Sequence, residues 1–489
     1  MFKKNSVRAL AFILSLVFLL VGCKGSEKPV ATEGSTEEPY EIQWYFVGNT
    51  SGQNDIASVQ EEVNKYIKEK INATVVMTSL DFGSYETKIN MMLAGNEDLD
   101  LMFTTTWCAN YGLNAAKNAF LPLNDLLSTY APKTKALLGD EFLKGPEIDG
   151  KLYAVPANKD KAHNWGFVYR KDIAEKHNID MSKVKNFEDL EPILALIKEK
   201  EAEITPLGVA GGRTTFNIHD FNPISFPYGF YADDDEVVNM YETPEFKNSI
   251  ELARKYYSAG YVRKDSDVAQ NFSTLQKEGA FFVWIEQCKP GKAGELSASS
   301  KGFQFAQQDI TPPRMFTTDT LGSMMAIPRN SKNPSRVMMF IELLNTDPYL
   351  HNLVNFGIEG KHYTKVNENT ISIIAEGGYT QAGQTWQFGN EFANFIIDNE
   401  EPDKWIKMEE FNNSATPVKS LGFNFDPEPV KTEVASCENI KKEFIMPLEV
   451  GTVDPDEQLP KLLEKLKQAG AEKIQAEIQK QYDAWKAAQ

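Results

Sequence analysis

Apolar positions along this chain alternate between two periods. Ile42 to Val47 (IQWYFV) is a β-prone run, Asp55 to Lys70 sets Ile56, Val59, Val63, Tyr66 and Ile67 at helical spacing, and Thr74 to Met77 is β-prone again. Strand, helix, strand in that order predicts a parallel pair with a right-handed crossover. Tyr85 to Ala94 repeats the helical period with Gly95 as its C′ residue, and Leu99 to Phe103 is the next strand. The first part of the chain is therefore α/β. Ligands of such sheets bind beyond the carboxyl ends of the strands. Two polar stretches lie there, Gly48 to Asp55 with Asn49 and Asp55, and Thr104 to Tyr111 with Trp107, Asn110 and Tyr111. Trp107 and Tyr111 offer flat faces and Asn110 an amide, although a Trp at a strand end serves equally well as a roof over the core.

Asp149 to Asp172 (DGKLYAVPANKDKAHNWGFVYRKD) holds a turn, an apolar run stopped by Pro156, eight mostly polar residues and a second apolar run, Trp165 to Tyr169. It reads as a strand that closes one lobe, a polar connector across a gap, and a strand that opens the next. Phe187 to Lys200 is an amphipathic helix, and Pro206 to Ala210 is a strand. Phe221 to Tyr231 (FNPISFPYGFY) is aromatic and interrupted by Pro and Gly, which fits neither helix nor strand, so it is expected as a loop packed on the core or on a ligand. Helices over Pro244 to Ala259 and Val268 to Glu278 lead to the buried strand Ala280 to Trp284, ending on Ile285-Glu286-Gln287. A carboxylate and an amide beside an indole make Trp284 and Glu286 a second candidate. The stretch from Met324 through Pro334 into a helix begun at Ser335 is expected to return the chain to the first lobe. Gly377 to Phe395, with Trp386 and Phe388, has little period, and two amphipathic helices close the chain and pack on the second lobe.

Charge and composition narrow the functional classes. A net charge of −18 with no basic cluster argues against nucleic acid as a partner. Aromatic residues make up 11% and include seven Trp, which suits uncharged ligands such as sugars, although most rings in any protein are core. About 450 residues beyond the tether are too many for one core. Lys3, Lys4 and Arg8 precede an uncharged stretch, Ala9 to Gly22, too short to span a bilayer comfortably, so residues 1–22 read as an export signal. Leu20-Val21-Gly22-Cys23 resembles a lipobox, which makes Cys23 the lipid-bearing residue; an ordinary secretory signal with an incidental Cys is the alternative. Residues 23–40 read as a flexible tether. Cys108, Cys288 and Cys437 are too scattered for a disulfide framework or a CxxC metal site, while a single bridge stays open. Asp233-Asp234-Asp235 lacks the Gly and distal Glu of a calcium loop. Gly145 to Lys151 imitates a P-loop, but Leu152 stands where Ser or Thr must meet magnesium. Neither metal nor cofactor is expected.

The lipobox, DGKLYAVP followed by FVYRKD, EGAFFVW, AIPRNSKNP and the terminal helices together resemble the family 1 extracellular solute-binding proteins of carbohydrate ABC importers. FGIEGKHY, WQFGNEF, LGFNFDPEPVKTE and the tail AGAEKIQAEIQKQYDAW are similar to LplA-type lipoproteins with their characteristic C-terminal domain. The resemblance implies an α/β, two-lobed periplasmic-binding-protein-like fold of type II, its lobes joined by several crossings around a ligand cleft. Lobe 1 is expected at 41–156 and 323–385, and lobe 2 at 157–322 and 386–489. It also implies a monomer, lipid-anchored outside the cytoplasm, that captures a carbohydrate and hands it to ABC permease subunits. By position, Trp107 falls where the family often stacks an aromatic ring, the first crossing from Asn158 to Asp160 where it makes polar contacts, and Trp284 with Glu286 near a second-lobe contact. Tyr228, Trp386 and Phe388 are candidates from composition alone. The rival class, an exported glycoside hydrolase, is not excluded by spacing because its two carboxylates meet only in the fold. There is, however, no HExxH or GxSxG, and the five His show no ligand spacing.

Overall fold

The computed structural model describes residues 38–48, 53–268, 271–381 and 383–488. Two main sheets organise it, with strands numbered here in chain order: β1 (Tyr40–Val47), β2 (Ala73–Leu80), β3 (Leu101–Thr104), β4 (Ala154–Pro156), β5 (Asn164–Arg170), β6 (Thr205–Gly208), β7 (Phe281–Cys288), β8 (Phe305–Asp309) and β9 (Met324–Ala326). The first sheet has the order β2-β1-β3-β9-β4 and the second β8-β5-β7-β6.

β1 and β2 pair in parallel from Tyr40 opposite Ala73 to Val47 opposite Leu80, connected by the helix Ile56–Ile71. Alternation along β1 sends Ile42, Trp44 and Phe46 to one face, where Val59, Val63 and Ile67 of that helix cover them. The other face is closed by Tyr85, Ile89 and Met92 of the helix Phe82–Gly95. Gly95 is the last residue of that helix, and Asn96, at φ 50°, takes the left-handed cap position expected of Gly95. Asn is the side chain that tolerates this conformation best after Gly.

The chain leaves the first sheet after β4 and enters the second at β5, so residues 157–163 are the first crossing. The return lies ahead of the stretch 324–334 expected to carry it, at the 323 boundary expected for the first lobe. β9 already pairs antiparallel with β3 and β4, which puts the crossing within 310–323, ahead of the Pro-rich turn at 328–334. The expected switch to the second lobe at Trp386 is also displaced. Phe388 packs on Trp44 and Phe46 in the first lobe's core, and Ile396–Ile397 pairs with Thr370–Ile373. The chain crosses again only around 418–423, where Val418 and Leu421 still belong to the first lobe's cluster and Phe423 to the next.

Phe221 to Tyr231 is an antiparallel hairpin, Phe221–Ser225 with Tyr228–Tyr231, rather than the expected loop. Phe221–Ser225 is an edge strand of its three-stranded sheet, which is where Pro223 costs no ladder hydrogen bond. This hairpin packs beneath the C-terminal helices Lys431–Val450, Pro455–Gln468 and Ala471–Ala487: Phe216, Phe230, Phe246 and Ile250 share one cluster with Phe444, Leu462, Ile474 and Tyr482. Cys108, Cys288 and Cys437 are buried free thiols. No helix among the described residues is long and apolar enough to cross a membrane.

Candidate functional site

A cavity of about 520 Å³ opens between the lobes. Its first wall follows β3. Thr104 Oγ1 donates to the Ala109 carbonyl at 2.7 Å, the Thr105 N–H to the Cys108 carbonyl at 3.1 Å, and the Tyr111 N–H to the Thr105 carbonyl at 2.9 Å. This loop buries Cys108 and Ala109, and turns Trp107 outward at 53% exposure. Asn110 completes it without facing a ligand: its amide donates to the Thr106 carbonyl and its Oδ1 accepts from the Leu113 N–H, both at 2.9 Å, which caps the helix Tyr111–Ala116.

Trp386 stands beside Trp107, with ring centroids 6.2 Å apart and planes inclined at 54°. It is displayed by its neighbours. The Gln387 amide donates to the Val47 carbonyl at 2.7 Å and Phe388 is fully buried, so the chain is anchored immediately after the indole. Phe103 backs both rings, at 5.7 Å from Trp107 and 5.6 Å from Trp386.

The floor is the first crossing, and it is clamped. The Asn158 N–H donates to the Gly389 carbonyl at 2.9 Å, the Asn158 carbonyl accepts from the Glu391 N–H at 2.8 Å, and Asn412 Nδ2 donates to the Lys159 carbonyl at 2.8 Å. With the backbone held, Lys159 and Asp160 carry their charges into the cavity, 2.8 Å apart. Across it, just past the end of β7, Lys289 lies 3.8 Å from Asp160 and 3.3 Å from Glu295. Burial opposes ionisation of Asp160, but the fields of Lys159 and Lys289 outweigh it and hold the carboxyl below its ordinary range. Burial would likewise discharge Lys289, and Asp160, Glu295 and Glu391 keep it protonated. Glu391 is raised by burial, with Lys289 pulling the other way, and its Oε1 accepts from Thr385 Oγ1 at 3.2 Å. On the far side Trp405 Nε1 donates to the Asn394 carbonyl at 3.0 Å, and Lys404 lies 4.3 Å from the Trp405 ring centroid and 2.7 Å from Glu400.

Of the residues expected from the sequence, the fold brings Trp107, Trp386 and Asp160 together. Asn158 is buried and spends its amide on Asn390 at 2.7 Å, a clasp rather than a contact surface. Tyr111 is buried with its hydroxyl on the Pro146 carbonyl at 2.5 Å, and Phe388 is core. Asp55 lies elsewhere, bound to Lys361 and, at 2.9 Å, to His362. Trp284 is also a correction: it is fully buried, Phe305 stands edge-on at 5.2 Å, and its Nε1 donates to Glu286 at 3.2 Å. Glu286 is occupied by the Arg213 guanidinium at 3.1 and 3.0 Å. Tyr228 sits under the C-terminal helices, away from the cleft. Asn49 and Cys23 lie outside the described residues. Sequence reasoning missed Lys289, Glu391, Lys404 and Trp405, and covered Lys159 only as part of the span from Asn158 to Asp160. Lys159, lying between two expected residues of the crossing, was the one with a readable signal. Among the described residues, no group of three or more His, Cys, Asp or Glu is placed to hold a metal ion.

Known proteins share this architecture. The family of bacterial extracellular solute-binding proteins matches residues 62–357, and a domain of unknown function, DUF3502, matches residues 419–487. A carbohydrate ABC transporter substrate-binding protein of Streptococcus pneumoniae is 31% identical over 495 residues, covering 98% of both chains. The crystal structure of the N-glycan transport solute-binding protein NgtS from Streptococcus pneumoniae superposes with a TM-score of 0.82 at 30% identity, covering 91% of this chain and 99% of that one. For NgtS in complex with Man1GlcNAc the TM-score is 0.71, with the same coverage, and for the complex with Man5GlcNAc it is 0.68, over 92% of this chain and 98% of that one. Two α/β lobes around a polar, aromatic-walled cleft, with these matches along the chain, place it in the family of bacterial extracellular solute-binding proteins, carrying a C-terminal DUF3502 domain.

Proposed function

We propose that this chain captures an uncharged oligosaccharide in the interlobe cleft and delivers it to an ABC import permease, acting as a monomer tethered to the outer face of the cell membrane by a lipid on Cys23. The observation that carries the reading is the Trp107–Trp386 pair set against a floor of mutually neutralised charges. A sugar ring has apolar C–H faces for the indoles and a rim of hydroxyls for carboxylates, ammonium groups and amides. Lys159, Lys289 and Lys404 are each already paired with a carboxylate, so the cleft has little spare positive charge for a uronate. The relatives named above support a glycan, and the fall in TM-score toward the two NgtS glycan complexes, at constant 30% identity, supports a change in lobe arrangement on binding.

Titration calorimetry of the purified chain with Man1GlcNAc, Man5GlcNAc and uronate oligomers tests this, with measurable binding expected for neutral glycans. Trp107→Ala and Trp386→Ala are each expected to weaken binding by about 1 to 3 kcal/mol, as for a desolvated aromatic anchor. The cleft also carries one feature of a glycoside hydrolase, two carboxyls displaced in opposite directions, Asp160 down and Glu391 up. Mass spectrometry of the glycan after prolonged incubation separates the two readings: intact ligand supports a binding protein, and repeated cleavage supports the hydrolase.

A further inference from the structure

Phe82 is the first residue of the helix Phe82–Gly95, directly after the carboxyl end of β2, and does not line the cavity. Even so, it is 48% exposed, and its ring is nearly parallel to that of Trp107, at 19° and a centroid distance of 6.4 Å. Gly83 adds no side chain beside it, and a Cβ built there would meet only open space. Trp386, Trp107 and Phe82 thus form a line of rings with steps of 6.2 and 6.4 Å, running from the cavity out over the first lobe. Two large aromatic side chains half exposed side by side are unusual on a surface unless something covers them.

From this line we infer that the binding site extends beyond the cavity, that Phe82 is its outermost stacking residue, and that the protein selects oligosaccharides long enough to reach it. This rests on the glycan reading above and specifies ligand length within it. Each step is of the order of one sugar repeat, so a unit over Trp386, the next over Trp107 and a third over Phe82 occupy the three rings in turn. The two indoles are inclined at 54°, while the Phe82 ring lies within 19° of parallel to Trp107, so the outer two rings share an orientation. A disaccharide seated in the cavity gains nothing from Phe82.

The test measures dissociation constants of Man1GlcNAc and Man5GlcNAc for the native chain, Phe82→Ala and Phe82→Trp, with thermal unfolding of each as a folding control. The native chain is expected to bind Man5GlcNAc more tightly. Phe82→Ala should narrow the ratio of the two affinities by about three- to tenfold, the range of one aromatic contact. Phe82→Trp should preserve or widen the ratio. A ratio unchanged in Phe82→Ala, or equal loss for both glycans, overturns the extended site and leaves the cleft reading standing. Failure of the native chain to bind any neutral glycan overturns the cleft reading, and the extended site with it.

Discussion

Two groups with displaced titrations, buried His351 and half-buried Glu449, make the pH dependence of stability a matter of single residues. His351 is fully buried, its Nδ1 donating to the Leu344 carbonyl at 2.9 Å and its Nε2 met by Asn355 Nδ2 at 3.0 Å, and burial lowers its pKa to about 4. The unfolded chain protonates His351 near pH 6.5 and the folded one does so only near 4, so stability falls as pH drops through that window. Glu449 is the opposite case: burial pushes it up to about 7, so its contribution is complete below its ordinary 4.5 and is lost as pH rises to 7. Each is worth roughly 3 kcal/mol, and over their shared window they nearly cancel. Urea denaturation at stepped pH should therefore show His351→Gln losing its deficit relative to the native chain on going from pH 6.5 to 4. Glu449→Gln should instead lose its deficit on going from 4.5 to 7. Parallel pH profiles for native and variant chains would remove either group from this account. The same residue-level view explains what was legible in the site. Trp284 was expected in the site alongside Trp107, although it lies in the unbroken apolar run of β7, the setting of a core indole, whereas Trp107 follows the polar run Thr104-Thr105-Thr106. Lys289, Glu391 and Lys404 could not be read this way, because a lone charge in sequence looks solvated until distant elements supply its partner.

At the scale of elements, the loop after β3 converts a capping preference into a binding surface. Asn110 both caps the helix Tyr111–Ala116 and holds the Thr106 carbonyl, so the position of Trp107 depends on a side chain that does not touch the cavity. Asn110→Ala should cost about 1 kcal/mol of stability, the usual loss for a removed cap, and should also weaken glycan binding. Thermal unfolding and calorimetry on the same sample check both. Reduced stability with unchanged affinity would mean that the loop holds Trp107 without its cap. Elements with a strong period were readable: the helix Ile56–Ile71 and the parallel β1–β2 pair follow from apolar spacing and β-prone runs alone. The hairpin at Phe221–Tyr231 was not, since Pro223 and Pro227 argue against a strand unless it is known to lie at an edge. Edge and centre are assigned by tertiary contacts, which no local pattern contains.

At the scale of the whole molecule, the C-terminal DUF3502 domain is a structural part of the second lobe. Its residues Phe444, Leu448, Leu462, Ile474, Ile478 and Tyr482 are buried in one cluster with Phe216, Tyr228, Phe230, Phe246 and Ile250 of the preceding domain, so neither side closes its core alone. The same stretch also fastens the lobes together. The Gly422 N–H donates to Thr317 Oγ1 at 3.0 Å, Asn222 Nδ2 to Ser420 Oγ at 2.8 Å, and Asn424 Nδ2 to the Glu147 carbonyl at 2.9 Å. The final helices, expected to pack on the second lobe because their apolar faces needed a cover, lie against Phe230, Phe246 and Ile250. Sequence reasoning set the preceding switch of lobe too early, because Phe388 reads the same whether it fills a core or faces a sugar. A chain ending at Val418 would bare Phe230, Phe246 and Ile250, and the loss of such buried side chains, at roughly 1.5 to 3 kcal/mol each, is comparable to the whole stability of an ordinary domain. Such a chain is expected to aggregate or to lose cooperative unfolding, measured by size-exclusion chromatography and calorimetry. A monomeric, cooperatively folded product that still binds glycan would mean that the domain is a separable appendage, and that the second lobe completes its core without it.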